Sequence, residues 1–266
     1  YKWLDLNVEP NIEPISQSKN VLVHQFASLI VFNTPIIILT IFCSLKDVSV
    51  YSVYAMVFNG VSMLLNSFSN GMQSFFGESL VKDDIEKSRK FFIRYKIFFT
   101  VAECWFYSMT YMLIMPFMSI YTKNMSDANY MQPVLGILFV IVGFLNHFRL
   151  PEVQLINAAG HFKETQNRAI IELCINLFFS ILCTLLFGFV GVLIGSLISY
   201  LYRCTDMIIY CSHKILKYNT FKLIISTFSL ILLYGVLIFI LSLFSVNCNN
   251  YIEWIQIALL YGVVFA

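Results

Sequence analysis

Charge is what this chain has least of. Of its 266 residues only 12% are Asp, Glu, Lys or Arg, against 59% hydrophobic, and the mean hydropathy is +0.76. A soluble domain carries roughly a quarter charged residues, so there is too little charge here to cover a water-facing surface. The net charge of +2 is too small to point to nucleic acid as a partner. Paired cysteines are missing as well. Cys43, Cys104, Cys174, Cys183, Cys204, Cys211 and Cys248 are odd in number, scattered, and mostly inside apolar runs. None has metal or redox spacing, and they read as packing residues. No nucleophile elbow, zinc site, phosphate loop or metal-binding carboxylate cluster occurs, so neither an enzyme nor a cofactor is expected.

What the chain has is long apolar runs. They are continuous and about 20 residues long, the length a helix needs to cross hydrocarbon, and lack the alternation of barrel strands. The fold class is therefore all-α: a polytopic transmembrane helical bundle of about eight spans. Residues 1–20 are polar, with Pro10 and Pro14, and read as a cytoplasmic linker or interfacial segment. A six-helix bundle is expected over 21–213, with spans near Val21–Leu45, Val48–Leu80, Phe91–Tyr121, Tyr130–Asn157 and Thr165–Phe187, then a sixth from the Gly188/Gly191 turn to Cys211. Two further helices fill 214–266, near Leu223–Phe244 and from Tyr251. Lys46–Asp47 reads as the first short turn, and VKDDIEKSRK as a charged loop or a helix end in water. Position 1 is Tyr, no signal peptide precedes the first span, and the last apolar run reaches Ala266, so a piece of a longer protein is expected.

Lys and Arg set the expected orientation. One set of connections holds Lys2, Lys19, Lys82, Lys87, Arg89, Lys90, Lys163, Arg168, Lys214, Lys217 and Lys222, and the other only Lys46 and Lys123. The start of the chain is thus expected in the cytoplasm.

Polar groups within the apolar runs are the functional candidates, because ionisable side chains in hydrocarbon normally face a bundle interior or a watery cavity. The stretch Asn146–Asn176 reads as a helical hairpin whose membrane-buried arms carry charge. Arg149 either snorkels to headgroups or binds a phosphate through its guanidinium. Pro151 removes a helical hydrogen bond, frees a nearby carbonyl and predicts a kink; Glu152 is placed to pair with Arg149. Glu172 either pairs with Arg168 one turn away or carries a proton, with Asn176 on the same face. Arg203 and Asp206 repeat this choice, and Glu103 has no partner within a helical turn. Arg94 and Lys96 read as interfacial. In the second run Asn59, Ser62, Asn66, Ser69, Asn70 and Gln73 fall on one face, which reads as cavity lining or as inter-helix bonding. His24 and His147 read as packed or hydrogen-bonded, and Gly191, Gly195 and Ser199 as a close-packing seam. The many aromatics read as bilayer-facing or interfacial.

Several stretches in order carry a resemblance: HQFASLIVFNTPIIILTIF, VSVYSVYAMVFNG, SFFGESL, IYTKNMSDANYMQP, AAGHFKETQNRAIIELCINLFFSI and FGFVGVLIGSLISYLYRCTD. Together they resemble Wzx-like polysaccharide flippases (O-antigen, capsule and teichoic-acid types). That family lies in the superfamily of multidrug, oligosaccharidyl-lipid and polysaccharide exporters. The resemblance covers nearly the whole chain and implies the C-terminal half of a two-bundle transporter, whose missing N-terminal half would be a partner. In one departure, the family's frequent Asp after Asn33-Thr34 is Pro35 here.

The resemblance implies flipping of a polyprenyl-diphosphate-linked oligosaccharide across a bacterial plasma membrane by alternating access, for surface polysaccharide biosynthesis. Polysaccharide polymerase and glycosyltransferases are the protein partners it implies. Arg149 and Arg203 are then the candidates for the diphosphate, Asn59, Asn66, Asn70, Gln73 and Asn176 for sugar and cavity lining, and Glu172, Glu103 and Asp206 for proton coupling. The alternative is a MATE-type multidrug/cation antiporter, which would favour net acidic cavities. A polymerase or ligase would need a large outward loop, and every such loop here is short.

Overall fold

In hydrocarbon every backbone N–H and C=O has to be bonded within the protein, and a continuous apolar run without strand alternation meets this by closing its own helix. A computed structural model describes residues 18–81, 85–217, 221–243, 248 and 250–266. These form α1 (Ser18–Phe42), α2 (Leu45–Val81), α3 (Ile85–Tyr121), α4 (Pro133–Phe148), α5 (Leu150–Ala159), α6 (Phe162–Phe187), α7 (Gly191–Tyr210), α8 (Phe221–Ser242) and α9 (Tyr251–Phe265). No strand occurs among the described residues. Among the described residues six stretches are long and apolar enough to cross a membrane. One of them, Phe162–Ile215, contains the two antiparallel arms α6 and α7. The protein is an all-α, multi-pass membrane bundle. The fifteen-residue α9 falls short of the roughly 20 residues a span requires. Most of the expected linker at 1–20 lies outside the described residues, as do positions 82–84 of the charged stretch.

Several boundaries move for identifiable reasons. The first turn is at Cys43–Ser44, not at Lys46–Asp47. Ser44 caps α2: its Oγ and N–H both donate to the Asp47 carboxylate, and the Asp47 N–H donates back to Ser44 Oγ at 3.3 Å. The charged stretch is already helical from Ile85, and Arg89 donates to the Leu216 and Lys217 carbonyls, tying the start of α3 to the segment that follows α7.

At the expected kink the helix is interrupted at a single residue. Pro151 has no N–H to offer, and the helix divides at Arg149 into α4 and α5. Side chains donate to several of the carbonyls around the break. The Cys204 thiol donates to Leu145 O at 3.1 Å, Arg149 Nε to Asn146 O at 3.3 Å, and Lys96 Nζ to Phe148 O.

α6 and α7 are joined by the 3-10 turn Gly188–Val190, with Gly188 at a φ of 68°. Their register is constant along the hairpin. Gly191 faces Cys183, Gly195 faces Ser180, Ser199 receives a hydrogen bond from Asn176, and Arg203 meets Glu172. The small-residue seam does pack closely: a Cβ on Gly195 would lie 2.3 Å from Ser180 Cα.

α1 packs along α6, α2 along α5 and α4, and α4 between α3 and α7. α8 and α9 sit against α3, where Tyr261 and Phe265 join Leu113 in a separate cluster. The main core also takes up a group of aromatics, while many others stay exposed as expected. Phe139 lies 5.0 Å from Tyr51 and 5.0 Å from Phe58 by ring centroid, and Tyr54, Phe76, Phe92 and Phe99 are buried. A bundle interior offers edge-to-face and offset partners that lipid tails do not.

The hairpin register gives a stability contrast. Gly195→Ala should destabilise the purified protein by about 1–3 kcal/mol, whereas Gly60→Ala, where an added Cβ meets nothing within 4 Å, should be neutral or slightly stabilising. Thermal unfolding in detergent or nanodiscs measures both.

Candidate functional site

α5 ends at Gly160, whose φ of 69° turns the chain into α6. Beyond that corner α5 and α6 make hardly any contact, because α5 packs on α2 while α6 packs on α1 and α7. The Asn146–Asn176 stretch is therefore an open V, not a packed hairpin. A cavity of about 510 Å³ reaches between its arms, lined there by Val153, Asn157 and Ala169. α1 contributes His24, Gln25 and Ser28, α2 contributes Asn66 and Gln73, and α7 contributes Arg203.

The V is bridged by an ion pair. Arg149 Nη1 lies 2.5 Å from Glu172 Oε1, its Nη2 donates to Asn146 Oδ1 at 3.0 Å, and its guanidinium lies 5.0 Å from the centre of the Tyr200 ring. From α7, Arg203 Nε lies 3.2 Å from Glu172 Oε2 but off the hydrogen-bond line, so this is a charge contact. Arg203 Nη1 also meets Asp206 Oδ2 at 3.1 Å, and Asp206 pairs with Arg168. Three guanidiniums thus share two carboxylates, leaving one positive charge in excess.

A second cavity of about 650 Å³ shares Gln25, Ser28, Asn146, Arg149 and Glu172 with the first. Its remaining wall is mostly apolar and runs along α1, through the exposed Leu22, Phe26, Leu29 and Phe32. A polar chamber and an apolar slot therefore meet at the Arg149–Glu172 pair.

The candidate residues divide. Arg149, Arg203 and Glu172 come together at one point, and Asp206 extends the cluster. Glu172 does not pair with Arg168, because Arg168 reaches across the hairpin to Asp206 instead. Glu152 does not pair with Arg149. Its partner is Lys96 at 2.9 Å, and both side chains are only 2% exposed, so Lys96 is not interfacial. Arg94 on the same helix is exposed. Among the α2 residues, Asn66 and Gln73 line the cavity. Asn70 accepts a hydrogen bond from Gln154 at 3.1 Å, and Ser69 accepts one from Tyr95. Asn59 is exposed and touches neither cavity. Asn176 is fully buried and donates to Ser199 Oγ at 3.1 Å, so it bonds helices together and does not line the cavity. Glu103 is fully buried away from both cavities. His24 Nε2 lies 3.1 Å from Phe162 O and from Thr165 Oγ1, and His147 Nδ1 lies 2.9 Å from Tyr107 Oη.

Sequence reasoning missed Lys96 and the α1 wall. Lys96 left a signal: it lies seven residues before Glu103, on the same helical face of an apolar run. Gln25, Ser28 and Asn33 left a weaker one, as isolated polar positions in α1. Comparison of the chain with family models, curated proteins and solved structures gives no match.

Glu172 is the shared anion, so its loss should exceed that of either cation. Glu172→Gln leaves two guanidiniums facing each other and should cost about 3–5 kcal/mol. Adding Arg203→Met should recover about 0.5–3 kcal/mol of that. Denaturation of the single and double variants reads the coupling.

Proposed function

We propose that the protein is a flippase for an anionic amphiphile: a polyprenyl-diphosphate-linked oligosaccharide moved across a bacterial plasma membrane for surface polysaccharide biosynthesis. The carrying observation is the junction at Arg149, where a polar chamber meets an apolar slot beside a cluster with one cation in excess. Such a lipid has three chemically distinct parts, and each has a counterpart here. The diphosphate suits the Arg149 and Arg203 guanidiniums, which offer paired donors in fixed geometry. The sugars suit the amide wall of Asn66, Gln73 and Asn146. The prenyl chain suits the slot between Phe26 and Phe32.

In this reading the bundle is the second half of a two-bundle transporter, and α8 with α9 is a C-terminal pair. The start of the chain is cytoplasmic, and alternating access moves the cargo. The break at Arg149 fits that scheme, since discontinuous helices in transporters commonly mark binding sites. The resident anion Glu172 occupies Arg149 and Arg203 while no cargo is bound. The arriving diphosphate competes with it and with Asp206, so these carboxylates act as counterions. Polysaccharide polymerase and glycosyltransferases are the downstream and upstream partners this role requires. A MATE-type cation exporter is the second reading, and the excess of guanidinium over carboxylate in the cluster disfavours it.

In the intact gene, Arg149→Ala should lower surface polysaccharide about 10–100-fold, the loss of one or two charge-assisted hydrogen bonds. The lipid-linked intermediate should then accumulate on the cytoplasmic leaflet, while Asn59→Ala stays near wild type. Unchanged polymer in Arg149→Ala, or altered resistance to organic cations without any polysaccharide effect, would overturn the proposal.

A further inference from the structure

One face of α3 is polar although it lies inside the bundle. Lys96, Thr100, Glu103 and Tyr107 follow one another at helical spacing, and all four are buried. At one end of this ladder Lys96 holds Glu152 of α5 and the Phe148 carbonyl of α4, with its ammonium 3.8 Å from the centre of the Phe148 ring. At the other end the Tyr107 hydroxyl meets His147 Nδ1, which also lies 2.8 Å from Gly143 O. Glu103 lies between them and differs from both. It is 0% exposed, and neither carboxyl oxygen has a hydrogen-bond partner.

An ionised carboxylate in that position would be uncompensated, whereas a carboxylic acid is neutral and sits there at far lower cost. The charged groups acting on Glu103 are Lys96 of α3 and Glu152 of α5. Its titratable neighbours are Cys104 and Tyr107 of α3 and Cys204 of α7, with His147 of α4 reached through Tyr107. Lys96 and Glu103 are separated by about 10 Å of helix, a gap that extended Lys and Glu side chains close.

We propose that Glu103 is a proton site whose occupancy sets the α4–α5 joint. With the proton bound, Lys96 stays on Glu152 and on Phe148 O and holds the break at Arg149 in its present shape. When the proton passes from the carboxyl oxygen to water, the new carboxylate competes with Glu152 for the Lys96 ammonium. Phe148 O and Glu152 then lose their donor, and the joint beside the cavity is released. No other bond changes, and the device operates whatever cargo the cavity takes.

Two measurements on the purified protein in lipid test this without any substrate. Infrared spectroscopy should show a protonated-carboxyl stretch that is lost in Glu103→Gln and that disappears from the wild type as pH rises. Over the same pH range, hydrogen-exchange protection at 146–153, corrected for intrinsic rates, should fall about tenfold or more in the wild type, the loss of a charged hydrogen bond. It should stay constant in Glu103→Gln, which mimics the protonated acid. Lys96→Met should keep the infrared band while losing the pH-dependent change in protection. Absence of a Glu103-dependent band, or the same pH-dependent loss of protection in Glu103→Gln as in wild type, would overturn the proposal.

Discussion

Glu172 stands between two guanidiniums, and much of the bundle is arranged so that it can. Hydrocarbon tolerates a cation only beside an anion or water, and here Arg149 and Arg203 arrive from different helices at one carboxylate. Arg203 is brought there by the α6–α7 register, which depends on backbones meeting at Gly191 and Gly195. Arg149 sits at the break before Pro151, and α5, packed on α2, diverges from α6 beyond Gly160 and leaves the V open. The ion pair bridges that gap. Packing, a missing hydrogen bond and a charge pair are thus parts of one construction.

A second buried pair serves the same break from the opposite side. Lys96 and Glu152 fasten α5 to α3, and Lys96 also takes up the Phe148 carbonyl. Between them the two pairs account for both faces of the joint. One faces the cavities and shares its anion with Arg203, and the other lies in the buried core beside an acid whose carboxyl oxygens lack a hydrogen-bond partner. On the proposed reading a bound anion acts on the first and a proton on the second, and both signals would converge on one short stretch of backbone.

The sequence made the helical class and most of the spans legible, because apolar length and the missing surface charge leave few alternatives. It also marked the interruption at Pro151, although Pro35 and Pro116 lack an N–H too and sit inside unbroken helices, and it marked the Gly191–Gly195–Ser199 seam correctly. Pairing was far less legible. Neighbours along a helix are visible in a sequence, so Arg203–Asp206 was readable. The partners of Glu172, Glu152 and Arg168 come from other helices, and the crossing that brings them together is set by packing. The α2 stripe shows the same limit: one face carries Asn66 and Gln73 toward the cavity while Asn70 and Ser69 are spent on neighbouring helices. Asn176 and Lys96 went astray because polarity alone does not tell a lining residue from a buried strut.

The central claim is that the Arg149–Glu172–Arg203 junction receives the anionic head of an amphiphile. The most direct test is equilibrium binding of a short-chain polyprenyl diphosphate to the intact protein in nanodiscs, with the neutral prenyl alcohol as control. The account predicts saturable binding of the diphosphate, weakened about tenfold or more by Arg203→Gln, and little binding of the alcohol. Equal binding of diphosphate and alcohol, or diphosphate binding unaffected by Arg203→Gln, would contradict it.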